Sequence, residues 1–157
     1  MPLFLIALVA CNNPDTARQK PVVNEDSAEV SVLPPVTEQQ DTANYNKQEG
    51  QSIQLKFQPD STTLTATGSL KSAKDRIIAF LPADRKGQLS AILVPSDSKM
   101  NIRFSQLVMP DSTMDGPFGQ KLDYKLTQRG MYRIIIAPSN MADGKTTGDF
   151  MIRLKVD

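Results

Sequence analysis

Phe150-Met151-Ile152-Arg153-Leu154-Lys155-Val156, at the end of the chain, decides the fold. Phe150, Ile152, Leu154 and Val156 alternate with Met151, Arg153 and Lys155, so one face is apolar and the other largely basic. Alternation with period two belongs to an extended strand, whose successive side chains point to opposite faces; a helix needs apolar spacings of three and four. The same parity recurs towards the N-terminus in Tyr132-Ile134-Ile136, Leu122-Tyr124-Leu126, Ile102-Phe104, Leu89 to Val94, Ile77 to Leu81, Leu64-Ala66-Gly68-Leu70 and Ile53-Leu55-Phe57. Turn-forming residues separate these runs: Pro59-Asp60, Lys86-Gly87, Pro95-Ser96-Asp97, Arg129-Gly130 and Asp143-Gly144. No stretch has the pattern of an amphipathic helix. Residues 50–157 are therefore expected to form an all-β domain, a jelly-roll-like antiparallel β-sandwich of about eight strands. Tyr124 and Tyr132 share the inward parity, which predicts packed rings whose hydroxyls reach backbone partners.

The chain has 157 residues and a formal net charge of +1, but that total hides two unlike parts. Residues 12–49 carry a net −4 and residues 50–157 a net +5, the latter with Asp as their only acid. Pro14, Pro21, Pro34 and Pro35 lie in the acidic part among Asn, Gln, Ser and Thr, a composition too polar to bury a core against the entropy of ordering. This segment reads as a disordered tether with an r.m.s. reach of about 35 Å.

Ahead of it, Leu3 to Ala10 is unbroken apolar sequence, too short for a bilayer span of roughly 20 residues but suited to the core of a secretory signal. It ends at Cys11, the sole cysteine, and Leu8-Val9-Ala10-Cys11 resembles a bacterial lipobox. The resemblance implies a signal peptide over 1–10, lipidation of Cys11 and an acylated tether over 11–49. Several acyl chains together give stable membrane anchoring. Asn12 follows the cysteine where an acidic residue would favour inner-membrane retention, so the expected location is the outer membrane, facing the periplasm or the cell surface. Only Met1 and Pro2 precede the apolar run, and the basic segment that normally opens such a signal is expected upstream.

Composition also limits the chemistry. The chain has no His, so neither a His-based triad nor a His-ligated zinc is available. General acid–base work in the domain would fall to its aspartates. Asp60, Asp97, Asp111, Asp115 and Asp143 all neighbour Pro, Ser or Gly, as turn formers do. The domain therefore reads as non-enzymatic and without a cofactor; Asp75 and Asp143 are the first aspartates to replace should any hydrolysis be found. Asp111-Ser-Thr-Met-Asp115-Gly116 brings two carboxylates near a glycine but lacks the alternation and terminal Glu of an EF-hand, so it reads as a turn.

Basic residues are the other candidate feature. Lys71, Lys74 and Arg76 cluster between two strands, while Lys121, Lys125, Arg129, Arg133, Arg153 and Lys155 occupy outward-phased or turn positions. Such charges can steer an anionic partner. Nucleic acid is not expected, because no dense aromatic and basic patch accompanies them.

The order of landmarks over residues 51–157 resembles the bacterial pre-peptidase C-terminal type of β-sandwich, and more particularly the periplasmic inhibitors of goose-type lysozyme. The resemblance rests on Ile53-Gln-Leu-Lys-Phe57, Thr65-Ala-Thr-Gly68-Ser-Leu70, Asp75-Arg-Ile-Ile-Ala-Phe80, Lys86-Gly87-Gln88-Leu89, Asn101-Ile-Arg-Phe104, Gly130-Met-Tyr132-Arg-Ile134 and Gly148-Asp-Phe150-Met-Ile-Arg-Leu154. It implies a non-catalytic, lipid-anchored envelope module that holds loops against a lysozyme-like protein. An envelope polysaccharide or peptidoglycan ligand, or a structural role in the envelope, is the alternative. The chain departs from the inhibitors at Ala66, where they carry an aromatic residue, and in the loop 139–145, which has one Lys where theirs is rich in arginine. Turn composition and this resemblance nominate the loops 71–76, 111–119 and 139–145 as the contact surface, with Lys71, Lys74, Asp75, Arg76, Asp115, Phe118, Asn140, Asp143 and Lys145 as the candidate binding residues.

Overall fold

The computed structural model describes residues 45–139 and 143–157. Cys11, the signal and most of the tether lie outside the described residues, as does Asn140. Ten strands follow one another: β1 (Gln48–Glu49), β2 (Ser52–Gln54), β3 (Thr63–Leu70), β4 (Ile77–Ala83), β5 (Gly87–Pro95), β6 (Ile102–Val108), β7 (Met114–Asp115), β8 (Lys121–Leu126), β9 (Gly130–Pro138) and β10 (Gly148–Val156). They form a six-stranded sheet in the order β1-β2-β4-β9-β6-β7 and a four-stranded sheet in the order β3-β10-β5-β8. The fold is an all-β sandwich, as the alternation predicts. All eight periodic runs lie in or beside a strand, and the two further strands, β1 and β7, are two residues long, too short to show a period.

One core fills the space between the sheets. Leu64, Ala66 and Leu70 of β3, Leu89, Ala91 and Leu93 of β5, and Phe150, Ile152 and Leu154 of β10 enter it from one side. Ile77, Ala79 and Leu81 of β4, Ile102, Phe104 and Leu107 of β6, and Tyr132, Ile134 and Ile136 of β9 enter from the other. Each fully buried aliphatic or aromatic side chain contributes about 1.5–3 kcal/mol, so these alternating positions hold the sheets together. Tyr132 is completely buried, and its hydroxyl donates to the Gln128 carbonyl (3.1 Å) and accepts from the Gln128 N–H (3.2 Å). Tyr124 is half-buried, with its ring edge-on to Phe118 at 6.3 Å.

Two features depart from the sequence reading. The sandwich is not wholly antiparallel, because β2 and β4 pair in parallel. β3 lies between them in sequence but belongs to the other sheet, so the chain has reversed twice when it returns beside β2. Residues 45–49, grouped by composition with the tether, are part of the domain. β1 pairs with β2, Lys47 bridges Thr67 of β3, and the Thr67 N–H donates to the Asn46 carbonyl at 2.9 Å. This segment carries one apolar residue and is held by hydrogen bonds of its backbone and of the Asn46 and Gln48 side chains, which hydropathy does not register.

Gly68 marks the place where the segment crosses the sandwich. A Cβ there would lie 2.5 Å from Cζ of buried Phe150 and 2.8 Å from Oε1 of Gln48. Gln48 Oε1 in turn accepts the Ser69 N–H at 2.7 Å. Only a glycine leaves room for both the core ring and the Gln48 amide against β3.

Candidate functional site

Strand directions assign each connecting loop to one end of the sandwich. Gly148 pairs with Leu70, Phe150 with Pro95, Ile77 with Ile136, and Ile102 with Pro138. The strand ends that lead into residues 71–76, 96–101 and 139–147 therefore lie at the same end, and the turn between β1 and β2 joins them. Lys71, Lys74, Asp75, Arg76, Asp143 and Lys145, nominated from two separate stretches of sequence, all belong to this end. Asp115 and Phe118 do not: their segment runs beside β6, where the Phe118 N–H donates to the Phe104 carbonyl at 3.0 Å. Phe118 packs against the core and Tyr124, which makes it a fold residue, whereas Asp115 is exposed.

Within the loop-bearing end, Asp75 shapes its own turn. Its carboxylate accepts hydrogen bonds from the N–H groups of Lys71 (2.7 Å) and Ser72 (3.0 Å) and from the Ser72 hydroxyl (3.0 Å). The Lys71 N–H, followed by the Ser72 hydroxyl, holds the Asp75 carboxyl below its usual pKa. An ionised, three-fold hydrogen-bonded carboxylate is a turn organiser and a poor proton shuttle at neutral pH. Lys145 fastens the β9–β10 connection to its neighbour: its ammonium pairs with Asp97 at 3.4 Å, and its backbone exchanges hydrogen bonds with Lys99 and Asn101. The Lys99 N–H first, and then Lys145, lower the Asp97 pKa.

Beside these loops, a groove of ≈ 680 Å³ runs onto the outer face of the four-stranded sheet. Val94 and Met151 give it an apolar floor, Thr67 and Ser69 line it with hydroxyls, and Lys47 and Lys71 stand on its walls. The composition reading missed it because one wall is the 45–50 segment. Its signals in the sequence were Thr67-Gly68-Ser69, where glycine gives the segment access, and Lys71. An apolar floor flanked by two ammonium groups, with the Asp149 carboxylate also on the lining, suits an extended, hydroxyl-rich ligand.

The remaining basic residues do not form one surface. Lys121, Lys125, Arg153 and Lys155 lie on the outer face of the four-stranded sheet, and Arg133 on that of the other. In the first group Lys155 pairs with Asp157, while the Asp123 carboxylate beside Lys121 and Lys125 in β8 accepts from the Ser90 hydroxyl. The 111–113 turn also resolves as structure: the Asp111 carboxylate accepts from the Thr113 hydroxyl and N–H and from the Gln128 amide, and those bonds depress its pKa to about 2.

No family model and no curated protein matches the chain. Solved structures do. Aeromonas hydrophila PliG, described as a periplasmic lysozyme inhibitor of g-type lysozyme, aligns with a TM-score of 0.50 and 13% identity over 68% of this chain and 96% of its own. Salmonella Typhimurium PliG aligns at 0.45 with 17% identity, and a mutant of the Escherichia coli protein at 0.45 with 14%, each covering 69% of this chain and 100% of its own. The Aeromonas alignment establishes likeness of fold, in agreement with the resemblance seen in the strand landmarks.

Proposed function

We propose that the chain is a non-catalytic binding protein of the bacterial cell envelope that uses the loops 71–76, 96–101 and 139–147 to engage a lysozyme-like protein. The observation that carries this reading is the convergence of those loops at one end of the sandwich. The PliG-like fold supports it by placing the chain in an architecture whose compared members are described as inhibitors of g-type lysozyme. In this reading the Cys11 thiol takes a diacylglyceryl group and residues 1–10 are then removed, the acidic segment spaces the domain from the outer membrane, and blockage of the enzyme's cleft protects the cell wall.

The full chain, purified with Cys11→Ser so that it stays free of lipid, is expected to slow lysis of cell walls by a goose-type lysozyme at near-stoichiometric amounts. Undiminished lysis at large molar excess would overturn the inhibitor reading. The groove between Lys47 and Lys71 favours a second reading, a peptidoglycan- or polysaccharide-binding accessory module; retention on purified glycan without lysozyme, reversed by salt, would mark that outcome. The anchor is a separate prediction: mass spectrometry of the mature protein should find a diacylglycerol-modified Cys11 at the N-terminus, and an unmodified thiol there would remove it.

A further inference from the structure

A second hollow lies on the outer face of the six-stranded sheet, apart from the groove. It measures ≈ 360 Å³ and is lined by Arg76, Arg103, Ser105, Gln106, Gly116 and Pro117. Parity places the two arginines: Ile77, Ile102 and Phe104 point into the core, so Arg76 and Arg103 point outward. The register makes them neighbours of one residue. Arg103 pairs directly with Ala137 of β9, and Arg76 immediately precedes Ile77, which pairs with Ile136. Ala137 is thus flanked on both sides, two strand spacings or about 10 Å separating the flanking backbones. Ala137, only 4% exposed, contributes no more than a methyl to the sheet surface between them.

The electrostatics of this hollow are unbalanced. Neither arginine forms an ion pair among the described residues. The aspartates that adjoin its lining residues are otherwise engaged, Asp75, next to Arg76, with Lys71 and Ser72, and Asp115 with the N–H of its neighbour Gly116 at 2.7 Å. Nε of Arg103 is shielded from solvent yet has no hydrogen-bond partner among the described residues. A buried donor on a permanent cation is costly to leave unpaired. The wall is also specially built: the β6–β9 register shifts between Phe104 and Gln106, and Gly116 approaches so closely that a Cβ would meet the Ser105 carbonyl oxygen at 2.7 Å. Strand irregularities of this kind re-aim side chains beside functional sites.

We propose that the hollow between Arg76 and Arg103 binds a single oxyanion group, a carboxylate or a phosphate, with the Arg103 Nε–H as one of its donors. Guanidinium forks match the geometry of both anions, and two of them around a short floor can clamp one group from opposite sides. The site shares Arg76 with the proposed contact loops, but it rests on Arg103 and the strand geometry and would persist if the lysozyme reading failed.

Sodium phosphate and sodium acetate, titrated separately into the full Cys11→Ser chain against sodium chloride of matched ionic strength, test it through the NMR signal of the Arg103 Nε–H. The expected result is a saturable shift with phosphate, acetate or both, but not with chloride, and the tighter of the two names the source. Arg76→Ala should weaken binding about tenfold or more, as loss of a charged hydrogen bond does, while Arg85→Ala at the far end leaves it unchanged. Arg103→Lys keeps the charge but removes the Nε donor, and should also weaken binding, read on neighbouring backbone amides. A response equal to that of chloride, no saturable shift, or an Arg76→Ala titration matching the parent would overturn the proposal.

Discussion

The two ends of the sandwich are organised by the same chemistry used in different ways. At the end opposite the candidate surface, Asp111 receives Gln128 Nε2 from the β8–β9 turn at 2.7 Å, and Tyr132 grips the backbone of that same Gln128. Gly130 presses on Pro110 so closely that a Cβ would lie 2.9 Å from the proline ring, and its φ of 133° already favours glycine. Here a carboxylate, a phenol and a glycine join one turn to another. At the loop-bearing end, Asp75 bonds only within its own turn, closing residues 71–75 on themselves. Cross-linking between turns stabilises; self-closure presents Lys71, Lys74 and Arg76 to solvent in a fixed shape without tying them down. Lys145 does tie the 139–147 connection to Asp97 and Lys99 at this end, so the contrast singles out the 71–76 turn as the part left free to meet a partner.

Tyr132→Phe strikes hardest at that contrast. The ring and its packing survive, but the Gln128 N–H and carbonyl lose their partner, and an unsatisfied group that is shielded from water costs about 1–3 kcal/mol. The urea midpoint is expected to fall accordingly with little change in slope, while contact with any partner at the far end stays intact. An unchanged midpoint would mean that the cross-linked end does not carry the stability assigned to it.

How far the sequence disclosed all this follows from the kind of signal each feature leaves. Burial on one face forces period two, so the eight long runs, the inward Tyr132 and the non-helical class were legible from residue types alone. Lys71 to Arg76 and Asp143 to Lys145 were legible as loops, but their convergence depends on strand pairing, which lies in the register and not in any local pattern. Residues 45–49 escaped because hydrogen bonds of their backbone and of the Asn46 and Gln48 side chains hold them, to which hydropathy is blind. Phe118, nominated as a contact residue, is placed against the core by its edge-on packing with Tyr124. Arg103 left a readable sign, a cation between inward-facing Ile102 and Phe104; its relation to Arg76 needed the intervening Ala137 of a third strand.

A finer test compares the two aspartates. Both carboxyls are held below the ordinary value, Asp111 to about 2, by the Thr113 hydroxyl first and then Gln128, and Asp75 by the Lys71 N–H first and then the Ser72 hydroxyl. A carboxylate whose folded pKa is depressed adds stability that is fully present above the unfolded value of about 3.9 and is lost as pH falls through the folded pKa. Acidification from about pH 4 towards 2 should therefore release the Asp111–Gln128 link, and Asp111→Asn should reduce the dependence of the unfolding midpoint on pH in that window. Asp75→Asn should act more locally. Amide hydrogen exchange should quicken at Lys71 and Ser72, with a smaller change in the midpoint, because no second turn depends on Asp75. Equal midpoint losses for the two variants would erase the distinction between the ends, since both carboxylates would then be supporting the fold as a whole. Faster exchange confined to residues 71–75 would instead establish that the candidate surface is shaped by a turn that can loosen while the sandwich stays closed.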